Sequence, residues 1–281
     1  MRGLIASELY LLLRRRSILI VGIVWILTSL IFGLGIPLIV YVSLSGHASA
    51  TVSNPDLLLQ GELPSKILST VVGIYPTYGS AMLFLLGAIY FGLDFRGQTW
   101  GSIFLQEPRR VAVVLAKAVA LAVASFVVVL ADYIVVLLAS VVIAAIFGRA
   151  ISFPGLGLMV TGFLACFLVG LVSALLGAGL ATLTKGMAVA IAIGLGWILA
   201  VENALWGVSG ILPWARSARL FTPAGTAGSL ASYFSAATKD NYLLPGVVHL
   251  ATPWVSVLIL AIYGAIGVVL AALLLRSRDV G

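Results

Sequence analysis

Long apolar runs separated by short polar connectors set the pattern of this chain. A helix rises about 1.5 Å per residue, so a run of roughly 20 apolar residues crosses about 30 Å of hydrocarbon. Six runs meet that length. They extend from about Ser17 to Val42, Tyr75 to Leu93, Val111 to Phe147, Leu156 to Leu183, Met187 to Trp206 and Trp254 to Leu275. The pattern predicts an all-α membrane protein, one transmembrane domain over residues 1–281, with no hydrophilic domain and no internal repeat. Two connectors on one side are long, about 43–74 and 207–253. The second holds Pro213, Pro223, Pro245 and Pro253 among Trp214, Leu220, Phe221, Tyr233 and Phe234. It is too apolar to stay in water, so it is expected to fold back over the membrane face as a capping or re-entrant loop.

Two shorter stretches carry helical patterns of their own. In residues 1–16, Ile5, Leu9, Leu12 and Leu13 fall near one helical face, with Glu8 and the arginines elsewhere. That arrangement predicts an interfacial helix before the first span. In residues 94–106, Trp100, Ile103 and Phe104 recur at i, i+3 and i+4, which predicts a short helix with one apolar face. Such a helix between two spans offers a docking surface. Small residues at four-residue spacing, Gly170, Ala174 and Ala178 and again Ala190 and Gly194, predict close helix packing.

Composition supports the membrane reading. The chain is 62% hydrophobic and 9% charged, with a mean hydropathy of +1.20, whereas soluble domains carry about 25% charge. The net charge of +7 belongs to span flanks. No basic stripe with interleaved aromatics is present, which argues against nucleic-acid binding. Arg2, Arg14, Arg15, Arg16, Arg96, Arg109, Arg110, Lys117, Lys185, Arg276 and Arg278 fall on the N-terminal side of the predicted spans. Only Lys66, Arg149, Arg216, Arg219 and Lys239 fall on the other. Basic residues concentrate in the cytoplasm, so both termini are expected inside the cell membrane. The tripeptide Ala48-Ser49-Ala50 looks like a cleavage site, but the run before it is far longer than a signal peptide's apolar region of about 7–15 residues. The first span reads as an uncleaved anchor. Cys166, the one cysteine, permits no internal disulfide.

Candidate chemistry is sparse. No Gly-x-x-x-x-Gly-Lys-Ser/Thr element is present, so no phosphate-cradling loop is predicted. With two histidines, His47 and His249, and no ligand cluster, a metal site is not expected. Gly207-Val208-Ser209-Gly210 resembles the Gly-x-Ser-x element of rhomboid intramembrane proteases, and His249 lies near the last span. Nucleophile and base must meet, and nothing in the order of spans predicts it. Asp132 lies within span three and Glu202 at the end of span five. They fall roughly 22 Å beyond Lys117 and 26 Å beyond Lys185 along their helices, in the outer half of the bilayer. An acid in lipid is costly, so both are candidates to line a substrate pathway, or to be held by neighbouring helices.

The connector resembles that of ABC transporter permeases of the type-2 exporter family. That family's connector runs acidic-x-x-x-Gly-Thr, then leucines, then Pro-x-Arg or Pro-Arg-Arg, then a Lys opening span three. Asp94, Thr99, Pro108-Arg109-Arg110 and Lys117 match, while Gln98 stands where Gly is usual. Similar too are Val201-Glu202 and the later Leu220-Phe221-Thr222-Pro223. The resemblance implies a non-enzymatic transmembrane subunit that exports an amphipathic or hydrophobic compound such as a drug, peptide antibiotic or lipid. It implies a separate ATPase subunit in two copies, which binds ATP and Mg, and a second permease, the same or a sister chain. The connector, with Asp94, Arg96, Thr99, Trp100, Ile103, Phe104 and Arg109, is implied to couple to that ATPase. A secondary transporter or channel is the alternative from another class; it would call for paired ionisable residues near the midplane.

Overall fold

The computed structural model of the protein describes residues 2–44, 56–107, 109–235 and 245–277. His47, Ala48-Ser49-Ala50, Pro108, Lys239 and Arg278 lie outside the described residues. Among those described, the secondary structure is all helical. Six helices are long and apolar enough to cross a membrane, and the chain is a multi-pass membrane protein on that ground. Helices are the expected solution, because hydrocarbon offers the backbone no hydrogen-bond partner outside the segment itself.

The elements follow in order. Helix α1 (Arg2–Arg14) leads into α2 (Arg16–Leu44), the first span. A short α3 (Asp56–Glu62) precedes the second span, α4 (Ile67–Arg96). Helix α5 (Thr99–Gln106) links α4 to α6 (Arg110–Ile146). Spans α7 (Leu156–Leu183) and α8 (Met187–Val208) follow. Then come two short helices, α9 (Pro213–Arg219) and α10 (Pro223–Ala231), and the last span, α11 (Pro253–Ser277). Helices α9, α10 and α11 each begin with proline, whose missing N–H is harmless in the first turn.

Two boundaries differ from the sequence expectation. The second span begins at Ile67, eight residues before Tyr75. Pro76 would end an ordinary helix. Here it falls inside a π-helical turn, Tyr75–Gly79, so Ile67–Ile74 continues the same rod. Comparable wide turns occur at Leu30–Gly35 in α2 and Gly196–Val201 in α8. The connector helix starts at Thr99, not Asp94. Asp94 and Arg96 close α4, and the chain breaks at Gln98, whose φ of 50° is left-handed. Glycine adopts that conformation most readily; here a glutamine holds it.

Helix α7 sits centrally, packed on α4, α6, α8 and α11. Its small residues let neighbours come close: Ala174 and Ala178 are buried. A Cβ on Gly87 of α4 would overlap the Ala174 carbonyl, and one on Gly177 would overlap the Phe84 carbonyl. Ala190 is buried in α8, and Gly194 lies against the Phe84 ring. Dispersion between close backbones is the main adhesive where lipid is as apolar as the side chains.

Gly87→Ala should therefore force α4 from α7 and cost about 1–3 kcal/mol or more. Gly196→Ala, whose added methyl meets nothing within 4 Å, should be neutral. Thermal unfolding of the two variants in one detergent measures the difference.

Candidate functional site

A buried charge network ties α1, α2, α4 and α6 together at one end of the bundle. Lys117, seven residues into α6, has no solvent exposure. Its Nζ donates to Glu8 Oε2 at 3.0 Å and to Asp94 Oδ2 at 2.7 Å. Arg15 donates to Asp94 Oδ1 at 2.7 Å and to the Tyr90 carbonyl at 3.0 Å. The Tyr90 hydroxyl donates to Glu8 Oε2 at 2.6 Å. Lys117 also lies over the Tyr90 and Trp100 rings, at 4.9 and 5.4 Å. Two cations and two anions balance, and each carboxylate is shared by more than one donor.

The sequence reading found half of this set. Asp94 and Lys117 entered through the family resemblance. The sequence pattern sets Glu8 off the apolar face of α1, but its side chain turns inward with Leu12 and is buried. One signal was available. A lone lysine inside an apolar span requires a buried carboxylate partner, and Glu8 and Asp94 are among the acids that flank that end of the bundle.

Thr99 opens α5 and fastens it to the network, its hydroxyl 3.2 Å from Asp94 Oδ1. Trp100 is 1% exposed. Its ring contacts Phe91, Phe95 and Phe104. Ile103 and Phe104 also pack against the interior. The apolar face expected to dock a partner is thus covered by the chain's own spans, because those rings complete the cluster around Lys117. The outward face carries Ser102 and Leu105, the latter 89% exposed. Arg96 and Arg109 are exposed at the two ends of the connector.

The two acids read as pathway candidates are enclosed. Asp132 has no exposure. Its Oδ2 accepts from the Tyr75 hydroxyl at 2.9 Å, and the Trp25 indole donates to that hydroxyl at 3.4 Å. Asp132 Oδ1 has no hydrogen-bond partner. Three spans close over this carboxyl, so it faces neither lipid nor an open cavity. Glu202 is a helix cap. It accepts the amides of Ala224 at 3.3 Å and Gly225 at 3.0 Å, and the Trp197 indole N–H at 3.0 Å. The first amides of α10 have no partner within their own helix, and a carboxylate there also meets the positive end of the helix dipole. Sequence periodicity could not show it, since Glu202 and Gly225 meet only in the fold.

Part of the long connector after α8 forms the short helices α9 and α10. Arg219 anchors it, buried and donating to the Gly246 carbonyl at 2.8 Å and to Ser209 Oγ at 3.3 Å. Burial pulls its guanidinium down to about 10, against the pull of Glu202, and it stays charged at neutral pH. Ser209 donates to the Trp206 carbonyl, while His249 Nδ1 lies 3.3 Å from Ser232 Oγ. Ser209 and His249 engage different partners, so the protease-like pair is not formed. Among the described residues no group of three His, Cys, Asp or Glu side chains could hold a metal ion.

Glu62 in α3 is a further acid that the sequence reading passed over. It is buried with Oε2 unpartnered, and burial pushes its carboxyl up to about 9.

Comparison with protein-family models returned no match, and comparison with curated proteins returned none.

Two predictions follow from these carboxylates. Lys117→Met strands Glu8 and Asp94 without their shared cation, and should cost about 3–5 kcal/mol. Adding Glu8→Gln and Asp94→Asn should recover much of that loss in thermal unfolding. Glu62 binds its proton more tightly folded than unfolded. Stability from this group is therefore present below the ordinary value of 4.5 and is lost as pH rises toward about 9, with a limiting slope of about 1.4 kcal/mol per pH unit. Glu62→Gln should flatten that pH dependence in unfolding experiments across the same range.

Proposed function

We propose that this chain is the transmembrane subunit of an ATP-driven exporter of the type-2 ABC kind. It works with a separate ATPase subunit in two copies and with a second permease, the same or a sister chain. Its termini and connector α5 face the cytoplasm, and α1 lies along the membrane surface. The ATPase carries ATP and Mg; this chain moves an amphipathic or hydrophobic compound outward.

One observation carries the reading. Three of the residues that make the family resemblance at the connector meet at one point: Asp94 touches both Thr99 and Lys117. Glu8 adds the N-terminal helix to the same point. A push on α5 therefore reaches α1, α4 and α6 together through charge-assisted bonds in a low-dielectric setting. A coupling device needs that rigidity. The contact offered to the ATPase is the outward stripe of Ser102 and Leu105, with Arg96 and Arg109 at its ends. Trp100 supports the stripe from beneath. The surplus of basic residues on this side supports the cytoplasmic assignment.

A second reading has one observation in its favour. Asp132, enclosed among spans with one oxygen unpartnered, suits a carrier driven by an ion gradient.

Leu105→Asp leaves the interior untouched and should abolish copurification of the ATPase and ATP-dependent export from inverted vesicles, with normal thermal stability. Trp100→Ala should lower thermal stability first, by about 3–5 kcal/mol. Transport that persists without ATP and collapses with the ion gradient favours the second reading. Unchanged copurification in Leu105→Asp removes the stripe from the interface.

A further inference from the structure

At the same end of the bundle, the start of α6 and the end of α11 form a recess of about 320 Å³. Its lining is Arg109, Arg110, Val111 and Arg276. That volume is at the small end of ligand sites, which run about 300–1,000 Å³. Three arginine side chains line one small recess, and their clustered positive charge favours an anion there.

Each arginine has a distinct role. Arg110 is held in place, donating to the Leu275 carbonyl at 3.1 Å with its guanidinium 5.1 Å over the Phe104 ring. Arg109 and Arg276 are exposed. Neither takes part in the ion pairs of the described residues, which are those of Arg15 and Lys117. The neighbouring acid, Glu107, is turned to the main chain, its Oε1 accepting the Arg109 amide at 3.3 Å.

The position of the recess selects among anions. The apolar spans begin at Arg110 and end at Ser277, so the recess lies at the level of lipid headgroups. Below it the side chains are apolar and exposed: Val111 and Leu115 on α6, and Leu270 and Leu273 on α11. A soluble anion would use the charges and leave that slope bare. A phospholipid would use both, with its phosphate among the guanidiniums and its acyl chains along α6 and α11. Guanidinium forks match phosphate oxygens two at a time, and basic pockets between spans are suited to anionic headgroups.

We propose that Arg109, Arg110 and Arg276 form a binding site for the phosphate of an anionic phospholipid, seated between α6 and α11 beside connector α5. The site requires only that the chain sit in a bilayer. It does not depend on ATP-driven export. Because Arg110 also stacks on Phe104 of α5, an occupied site steadies the connector.

The full-length protein, purified in a neutral detergent and stripped of lipid, is titrated with short-chain phosphatidylglycerol, short-chain phosphatidylcholine or inorganic phosphate. Bound lipid is counted by native mass spectrometry and thermal stability is followed in parallel. Phosphatidylglycerol should bind at one saturable site and raise the melting temperature. Arg109→Gln combined with Arg276→Gln should weaken that binding about tenfold or more. Arg96→Gln, an exposed arginine away from the recess, should leave it unchanged. Arg276→Gln alone, a change at an exposed position, carries the test if the double variant folds poorly. Equal binding of phosphatidylcholine, protection by inorganic phosphate at the same concentration, or full binding by the double variant would each overturn the proposal.

Discussion

Lys117 is the residue on which the rest of the basic end depends. An ammonium with no solvent exposure is tolerable in a low-dielectric interior only when its charge is met at hydrogen-bond distance. Glu8 and Asp94 meet it, and they come from two different earlier helices, α1 and α4. That requirement fixes α1 against α6, and fixes the end of α4 against both. The second cation, Arg15, balances the second carboxylate at the corner where α1 turns into α2. Without that balance two carboxylates would share one ammonium. The aromatic cluster of Tyr90, Phe91, Phe95, Trp100 and Phe104 closes over the network and keeps water away, which strengthens every bond within it.

Helix α4 connects the polar features of the molecule. Its C-terminal end supplies Tyr90 and Asp94 to the charge network. Its wide turn supplies Tyr75 to Asp132, and Thr77 to the Pro245 carbonyl of the returning connector at 3.1 Å. The other end of the bundle is thus tied to the same rod. There the stitching is of a different kind: Glu202 binds amides at the start of α10, and Arg219 binds the Gly246 carbonyl. At that end the charged side chains serve main-chain groups, whereas at the basic end they also pair with one another. Short helices and turns leave backbone donors and acceptors without partners in their own segment.

The sequence alone determined the helical class and the six spans. These follow from apolar run length and backbone hydrogen bonding in hydrocarbon, which are local properties. It also marked Asp132 and Glu202 as residues needing a partner or a cavity, because an ionisable group in an apolar run is costly wherever it points. Periodicity found the apolar stripe of Trp100, Ile103 and Phe104 but could not say what covers it. An apolar face records only that something does.

The tertiary structure decided the partners and the directions. It turned Glu8 inward to Lys117, enclosed Asp132 beneath Tyr75, and made Glu202 a cap for a helix more than twenty residues later in the chain. It sent Trp100 to the interior and Leu105 to the surface. It also carried α4 through Pro76 by a wide turn that no local preference announces. The contacts of Glu8 with Lys117, Tyr75 with Asp132 and Glu202 with Gly225 join segments distant in sequence. Their energies depend on distance and enclosure, quantities that a one-dimensional pattern of residue types does not contain.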